Sequence, residues 1–268
     1  MSQNKLGTAV VTGASSGIGA VYADRLARRG YDLLLVARRA ERLETLAKQL
    51  HERYGVTVDV EVADLGQSAD RARVATRIGE DEQVTLLVNN AGILKPVGVG
   101  AGTAADAHEV VAINVGAVTE LTLAVLPGFV KRDRGTIVNV ASVLALEALP
   151  SGSVYTGTKA YVLAFSRALQ GELAGKNVHI QVVLPAATRT EFWTEESLKR
   201  IDTSNLMEVD ALVDAALVGL DRQEAVTIPP LHDSELWTAF DQARMQLFSN
   251  SMSGTPGVRY LTGAAAAR

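Results

Sequence analysis

Short apolar runs alternate along the chain with longer stretches in which apolar residues recur every three or four positions. The runs at 8–11, 32–37, 84–88, 136–140 and 179–184 are dominated by Val, Leu and Ile and read as strands. Continuous apolarity is what a strand covered on both faces requires. The run at 56–62 alternates apolar and polar positions, and a last short run at 225–228 ends at Pro229-Pro230. Helical spacing occupies 20–29, 41–54, 68–78, 107–131, 153–174, 209–220 and 236–248, with Gly30 and Gly55 placed as stops. Strand and helix alternate without a repeat or a linker. That order predicts an α/β fold, a doubly wound, mostly parallel sheet of about seven strands with helices on both faces. It sits in one domain over 1–250, followed by a Ser-, Gly- and Ala-rich tail at 251–268.

Composition narrows the function classes. Hydrophobic residues make up 47% of the 268, enough for a sizeable core, and a net charge of -4 gives no electrostatic case for nucleic acid or an anionic membrane. The chain has no cysteine, which removes thiolate catalysis, disulfides and Cys-ligated zinc. His51, His108, His179 and His232 are scattered without metal-ligand spacing, so no metal site is expected. The first seven residues carry no apolar leader, and no run reads as a membrane span. The expectation is a cytoplasmic protein without a membrane partner.

The candidate chemistry begins at the first strand. Thr12-Gly13-Ala14-Ser15-Ser16-Gly17-Ile18-Gly19 separates it from a helix, and a strand, a glycine turn and a helix form a phosphate site. Glycines admit a pyrophosphate to the backbone, and the free N–H groups of the helix start point at it. The second strand ends in Ala37-Arg38-Arg39, where a site for NAD usually carries an acidic residue. Guanidinium groups clamp a 2′-phosphate that a carboxylate would repel, so the reading is NADP(H) preferred with NAD(H) as the alternative. Asp64-Leu65 follows the third strand, where Asp64 serves either the adenine or the next helix as a cap. Asn89-Asn90-Ala91-Gly92 ends the fourth and suits a backbone pressed against a sugar, or a simple turn. Asn114 lies among apolar residues and reads first as a core amide. Ser142 ends the fifth strand, and Tyr155 and Lys159 share one face of the helix beyond it. A phenol beside an ammonium is a proton donor, with its pKa expected to fall below the usual value of about 10.

These motifs, in order and on the expected elements, resemble the single-domain branch of the short-chain dehydrogenase/reductase family over residues 6–185. The resemblance implies a Rossmann-type fold and an oxidoreductase interconverting a carbonyl and an alcohol. Tyr155 would then be the general acid/base and Ser142 would bind the substrate oxygen. Lys159 would lower the tyrosine pKa and hold the nicotinamide ribose, and Asn114 would hold a relay water. Pro185, Thr188 and Thr190 would line the nicotinamide loop. Two positions depart from the family pattern: Ala186 replaces its usual glycine, and Gly157 stands where alanine is common, opening room for another backbone or the cofactor. The resemblance places a lid at 186–207, where Phe192, Trp193, Leu198, Ile201, Leu206 and Met207 form an apolar face opposite Leu144, Leu146 and Leu149. These residues either line a pocket for a hydrophobic substrate or pack the lid onto the body. A homodimer or homotetramer is implied. The alternatives are an NAD-dependent alcohol dehydrogenase and a non-catalytic dinucleotide-binding regulator.

Overall fold

A computed structural model of the chain describes residues 6–148, 152–191 and 202–261. Seven parallel strands form one sheet: β1 (Thr8–Thr12), β2 (Asp32–Ala37), β3 (Val58–Val62), β4 (Val84–Asn89), β5 (Gly135–Val140), β6 (Val178–Val183) and β7 (Val226–Thr227). Their spatial order is β3-β2-β1-β4-β5-β6-β7, so the chain reverses its direction of winding between β1 and β4. Ligands of open parallel sheets sit at that reversal, beyond the carboxyl ends of the strands.

Alternation within the strands divides the core. Ala9, Val11, Leu33, Leu35, Leu86 and Val88 face one buried layer, with α1 (Gly17–Arg28) and α2 (Ala40–Tyr54). Val10, Leu34, Val36, Leu87 and Ile137 face the other, with α3 (Ser68–Glu80) among its helices. Because side chains alternate across a strand, continuous apolar runs are what two covered faces demand.

The helix expected at 107–131 is three segments. α4 (Ala104–Val111) starts from a Thr103 capping box, Ala112–Ala117 widens into a π turn, and α5 (Val118–Arg132) completes it. The apolar spacing through the turn reads the same at either pitch, which is why the sequence pattern passes over it. Contrary to the reading that no segment has the length of a membrane span, Ala104–Arg132 is long and apolar enough to cross one. Half of its most apolar window is buried inside this fold, as befits a core helix.

α6 (Ser153–Glu172) is held by a buried polar chain. Asn89 Nδ2 donates to Thr122 Oγ1 (3.0 Å) and Asn139 Oδ1 (2.9 Å), and Asn139 Nδ2 donates to Ser166 Oγ (2.9 Å). Two strands and two helices are thereby pinned in one register, and each buried group has a partner. Gly157 of α6 is exposed, and a Cβ there would meet nothing within 4 Å, so the close approach expected of this glycine is not found within the chain. Gly157→Ala is expected to stabilise the protein by about 0.5–1 kcal/mol, through the backbone entropy of the unfolded chain. A shift of the urea midpoint to higher concentration at constant m checks this.

The compact unit ends at Pro230, earlier than the boundary at 250 read from the sequence. α7 (Val209–Asp221) belongs to it, whereas α8 (Ser234–Ser251) lies in a second unit, 231–268. α8 starts at Asp233, whose side chain accepts from the Glu235 N–H, and has no buried residue.

Candidate active site

The glycine loop is shaped by what faces it. Gly13 has φ +68°, and a Cβ there would lie 2.8 Å from Asn90 Nδ2 and 2.9 Å from Ala91 Cα. A Cβ on Gly19 would lie 2.4 Å from the Gly13 carbonyl oxygen and 2.6 Å from Asn90 Nδ2. The loop therefore presses against 90–91, and Thr12 closes the seam. Its Oγ1 accepts from the N–H groups of Asn90 and Ala91 (both 3.0 Å) and donates to Val88 O (3.2 Å), while Asn90 Nδ2 donates to Thr12 O (2.9 Å). Thr12 was read as a motif boundary only, and its contacts across the sheet carry no local signal. Behind the loop, the first turn of α1 has neither an acidic residue nor a side-chain cap, so its N–H groups suit an anion.

A cleft of about 580 Å³ runs across the strand ends. Gly13, Ser15, Ser16, Gly17, Ile18, Arg38, Arg39, Asp64, Leu65, Asn90, Ala91, Gly92, Ser142, Tyr155, Lys159, Pro185, Thr188 and Thr190 all line it. The candidate cofactor residues from the sequence are thus gathered into one space, except Gly19, which is buried in the first turn of α1 and does not line it. Asn114 is 1% exposed and stands behind the wall. Arg38 makes no ion pair or hydrogen bond among the described residues, whereas Arg39 Nε and Nη2 donate to Ser15 Oγ (3.0 and 2.9 Å) and Nη2 to Ser16 Oγ (2.6 Å). Asp64 Oδ1 accepts from the Gly66 N–H (3.0 Å), shaping its own turn, and the following helix starts at Gln67 without a side-chain cap. Arg71 holds that turn from behind, donating to the Leu65 and Gly66 carbonyls (3.1 Å each) and to Glu120 (2.8 Å). Arg71 was not foreseen, because it bonds nearby carbonyls that leave no mark in the residue pattern and a carboxylate 49 residues away.

At the other end stand the proton-handling groups. Ser142 Oγ accepts from the Leu144 N–H (3.2 Å), donates to the Pro185 carbonyl oxygen (3.4 Å), and faces the Tyr155 hydroxyl closely enough to favour its anion. Lys159 Nζ donates to Val140 O (3.0 Å) and lies 5.6 Å from the centroid of the Tyr155 ring. The expected lowering of the tyrosine pKa is not seen. Burial pushes the phenol up to about 12, with Ser142 pulling the other way, and burial lowers the lysine to about 8. Desolvation disfavours the charged form of each group and is the leading cause of both shifts. The Asn114 carboxamide is fully engaged: Nδ2 donates to Ile93 O (3.0 Å) and Thr158 Oγ1 (3.1 Å), and Oδ1 accepts from the Ile93 N–H (2.9 Å). It joins the 90–93 loop to the residue before Lys159 and satisfies the core-amide reading.

The two departures from the pattern are benign. Among the described residues, the non-glycine residues with positive φ are Asp133 and Gln223, so Ala186 occupies a conformation open to any residue. Only part of the expected lid lies among the described residues. Phe192, Trp193, Leu198, Ile201 and Leu149 lie outside the described residues. Leu206 is buried and Met207 packs on the core, so neither lines the cleft. Leu144 does line it, whereas Leu146 packs beneath the wall. Met207 N donates to Ala187 O (3.0 Å) and Arg189 N to Met207 O (2.9 Å), which ties 187–189 to 207. No group of three or more metal-ligating side chains is found among the described residues.

Comparison with known proteins agrees with this geometry. The short chain dehydrogenase family model matches residues 7–201. A short-chain dehydrogenase from Sphingobium yanoikuyae in complex with NADPH is 46% identical with a TM-score of 0.90, covering 96% of this chain and 100% of its own. The bulky-bulky ketone specific alcohol dehydrogenase from Comamonas testosteroni is 44% identical with a TM-score of 0.89, covering 97% and 100%. The human inactive hydroxysteroid dehydrogenase-like protein 1 is 34% identical over 66% of this chain and 54% of its own, so the chain spans about half the length of that relative. With its strand order, glycine loop and Ser-Tyr-Lys grouping, the chain belongs to the short-chain dehydrogenase/reductase family of oxidoreductases.

Proposed function

We propose that the protein is an NADPH-dependent reductase of hydrophobic ketones, and the corresponding alcohol dehydrogenase in reverse. One observation carries the reading. A single cleft has Ser142, Tyr155 and Lys159 at one end, and at the other two arginines where a carboxylate would favour NAD. The chain fits such a dinucleotide on its own features: an uncapped helix start without acidic residues, a glycine floor and the paired guanidinium groups. The dinucleotide, when bound, supplies the hydride. Tyr155 then gives its proton to the carbonyl oxygen while the Ser142 hydroxyl hydrogen-bonds the same oxygen. Lys159 stands behind the phenol and supports its anion, and Asn114 positions the lysine's helix against the 90–93 loop. Ile93, Leu94, Val143 and Leu144 make the neighbouring wall apolar, which suits a bulky hydrophobic ketone of the kind named for the Comamonas testosteroni enzyme. Exposed Val111, Leu123 and Tyr161 on α4, α5 and α6 support assembly through that face into a homo-oligomer.

Titration with NADPH and NADH, followed by nicotinamide fluorescence, tests the cofactor reading. NADPH is expected to bind more tightly, and Arg38→Ala with Arg39→Ala to weaken it by about ten- to a hundredfold while changing NADH little. Equal losses for the two cofactors would remove the argument. A non-catalytic dinucleotide binder is the second reading, favoured by the name of the human relative. Turnover of a bulky aryl ketone with NADPH decides against it.

A further inference from the structure

The arginine end of the cleft already holds an anion of the chain's own. Glu191 lines the cleft, and its Oε2 accepts from Arg42 Nη1 (2.6 Å) and Arg39 Nη1 (3.2 Å). Arg39 meanwhile spends its remaining N–H groups on Ser15 and Ser16 of the glycine loop. Glu191 directly follows Thr190, whose Cγ2 lies 3.2 Å from where a Cβ on Gly17 would stand. The start of the 191–207 segment is thus clasped to the phosphate loop at two adjacent residues. Neither Arg42 nor Glu191 is singled out by the sequence pattern.

A 2′-phosphate and a carboxylate ask for the same thing, N–H donors from a guanidinium fork. With Arg39 and Arg42 both turned to one carboxylate oxygen, a 2′-phosphate meets Arg38 without a carboxylate competitor, but to engage Arg39 or Arg42 it must displace Glu191 or share them with it at the cost of like-charge repulsion. A dinucleotide with a free 2′-hydroxyl carries no such charge and leaves the clasp intact. The side chains of Arg39, Arg42 and Glu191 are 44%, 48% and 58% exposed, so the pairs are weak enough to be exchanged.

We propose that Glu191 is a specificity-determining residue, an internal anion that competes with the 2′-phosphate for Arg39 and Arg42 and so sets how strongly the chain prefers the phosphorylated dinucleotide. The inference rests on the NADPH reading above and predicts that the natural preference is held below what the arginines alone would give. It also adds Arg42 to the residues that meet the phosphate.

Calorimetric binding of 2′,5′-ADP and of 5′-AMP to wild type and to Glu191→Gln tests this without turnover. In the variant, 2′,5′-ADP is expected to bind about three- to tenfold more tightly, the range two exposed ion pairs support, with 5′-AMP unchanged. If wild type prefers 2′,5′-ADP but the variant shows the same or a smaller preference, the proposal is overturned while the NADPH reading stands. A preference absent in wild type and present in the variant would support the proposal, the carboxylate then masking the arginines outright. No preference in either protein would overturn both. Arg42→Ala is the companion variant. It should lower 2′,5′-ADP affinity and shrink the gain from Glu191→Gln, whereas full additivity would mean that the two residues do not share one site.

Discussion

Tyr155→Phe is expected to lower turnover by about a thousandfold or more while leaving NADPH affinity within about twofold of wild type. The substitution removes one oxygen and keeps the ring, so Lys159 retains its contact with the aromatic face and its bond to Val140 O. What disappears is the proton donor beside Ser142. The ring neighbours that remain do not take its place: the Lys159 ammonium donates to the Val140 carbonyl, and Ser142 is already bonded on both sides. Steady-state rates with a bulky aryl ketone, paired with the fluorescence titration, check the split. The pH dependence has a definite sign. With its pKa near 12, the phenol is protonated throughout the neutral range and ready to act as an acid. Ketone reduction should therefore vary little from pH 6 to 8, whereas alcohol oxidation, which needs the phenolate, should rise with pH. An active phenylalanine variant would sink the mechanism.

Gly19→Ala is the second large effect, and it acts on the other end of the cleft. Its Cβ would stand 2.4 Å from the Gly13 carbonyl oxygen and 2.8 Å from the Gly13 carbonyl carbon. Both are backbone atoms, so no side-chain rotation relieves the overlap, and Asn90 Nδ2 closes the third direction at 2.6 Å. The loop must lift from the 90–91 segment, which costs about 2–4 kcal/mol in stability. Affinity for NADPH is expected to fall by at least about a hundredfold, because the N–H groups of the α1 start leave their positions. Thermal unfolding and the same titration measure the two losses. Retained affinity would mean that the glycine spacing has no part in cofactor binding.

The sequence is informative where a residue's role depends on its neighbours in the chain. Strand runs, helix stops, the glycine loop and the Tyr155–Lys159 spacing are such features, and the structure places each on the element expected. It is silent where the partner lies far away. Arg71 reaches Glu120, Thr12 reaches 90–91, and Asn139 joins Asn89 to Ser166, each across elements that hydrophobic periodicity cannot orient. The π turn at Ala112–Ala117 escapes because a continuous apolar pattern does not distinguish pitches. The tyrosine pKa was misjudged for a related reason: charge proximity is visible in a four-residue spacing, whereas burial is a property of the finished fold.

The amide chain from Asn89 to Ser166 also separates two design problems that the linear sequence entangles. Helix α6 is tied to the sheet through Asn139 and Ser166, and its Val162, Leu163 and Phe165 pack with Val143, Ala145 and Leu146 of the segment that leads into it. Leu144, which lines the cleft and takes no part in that packing, can therefore be rewritten to admit ketones of another shape, with the phenol and the lysine staying where they are. Specificity at Leu144 is separable from the chemistry, and a library confined to that position should return altered substrate ranges far more often than dead protein.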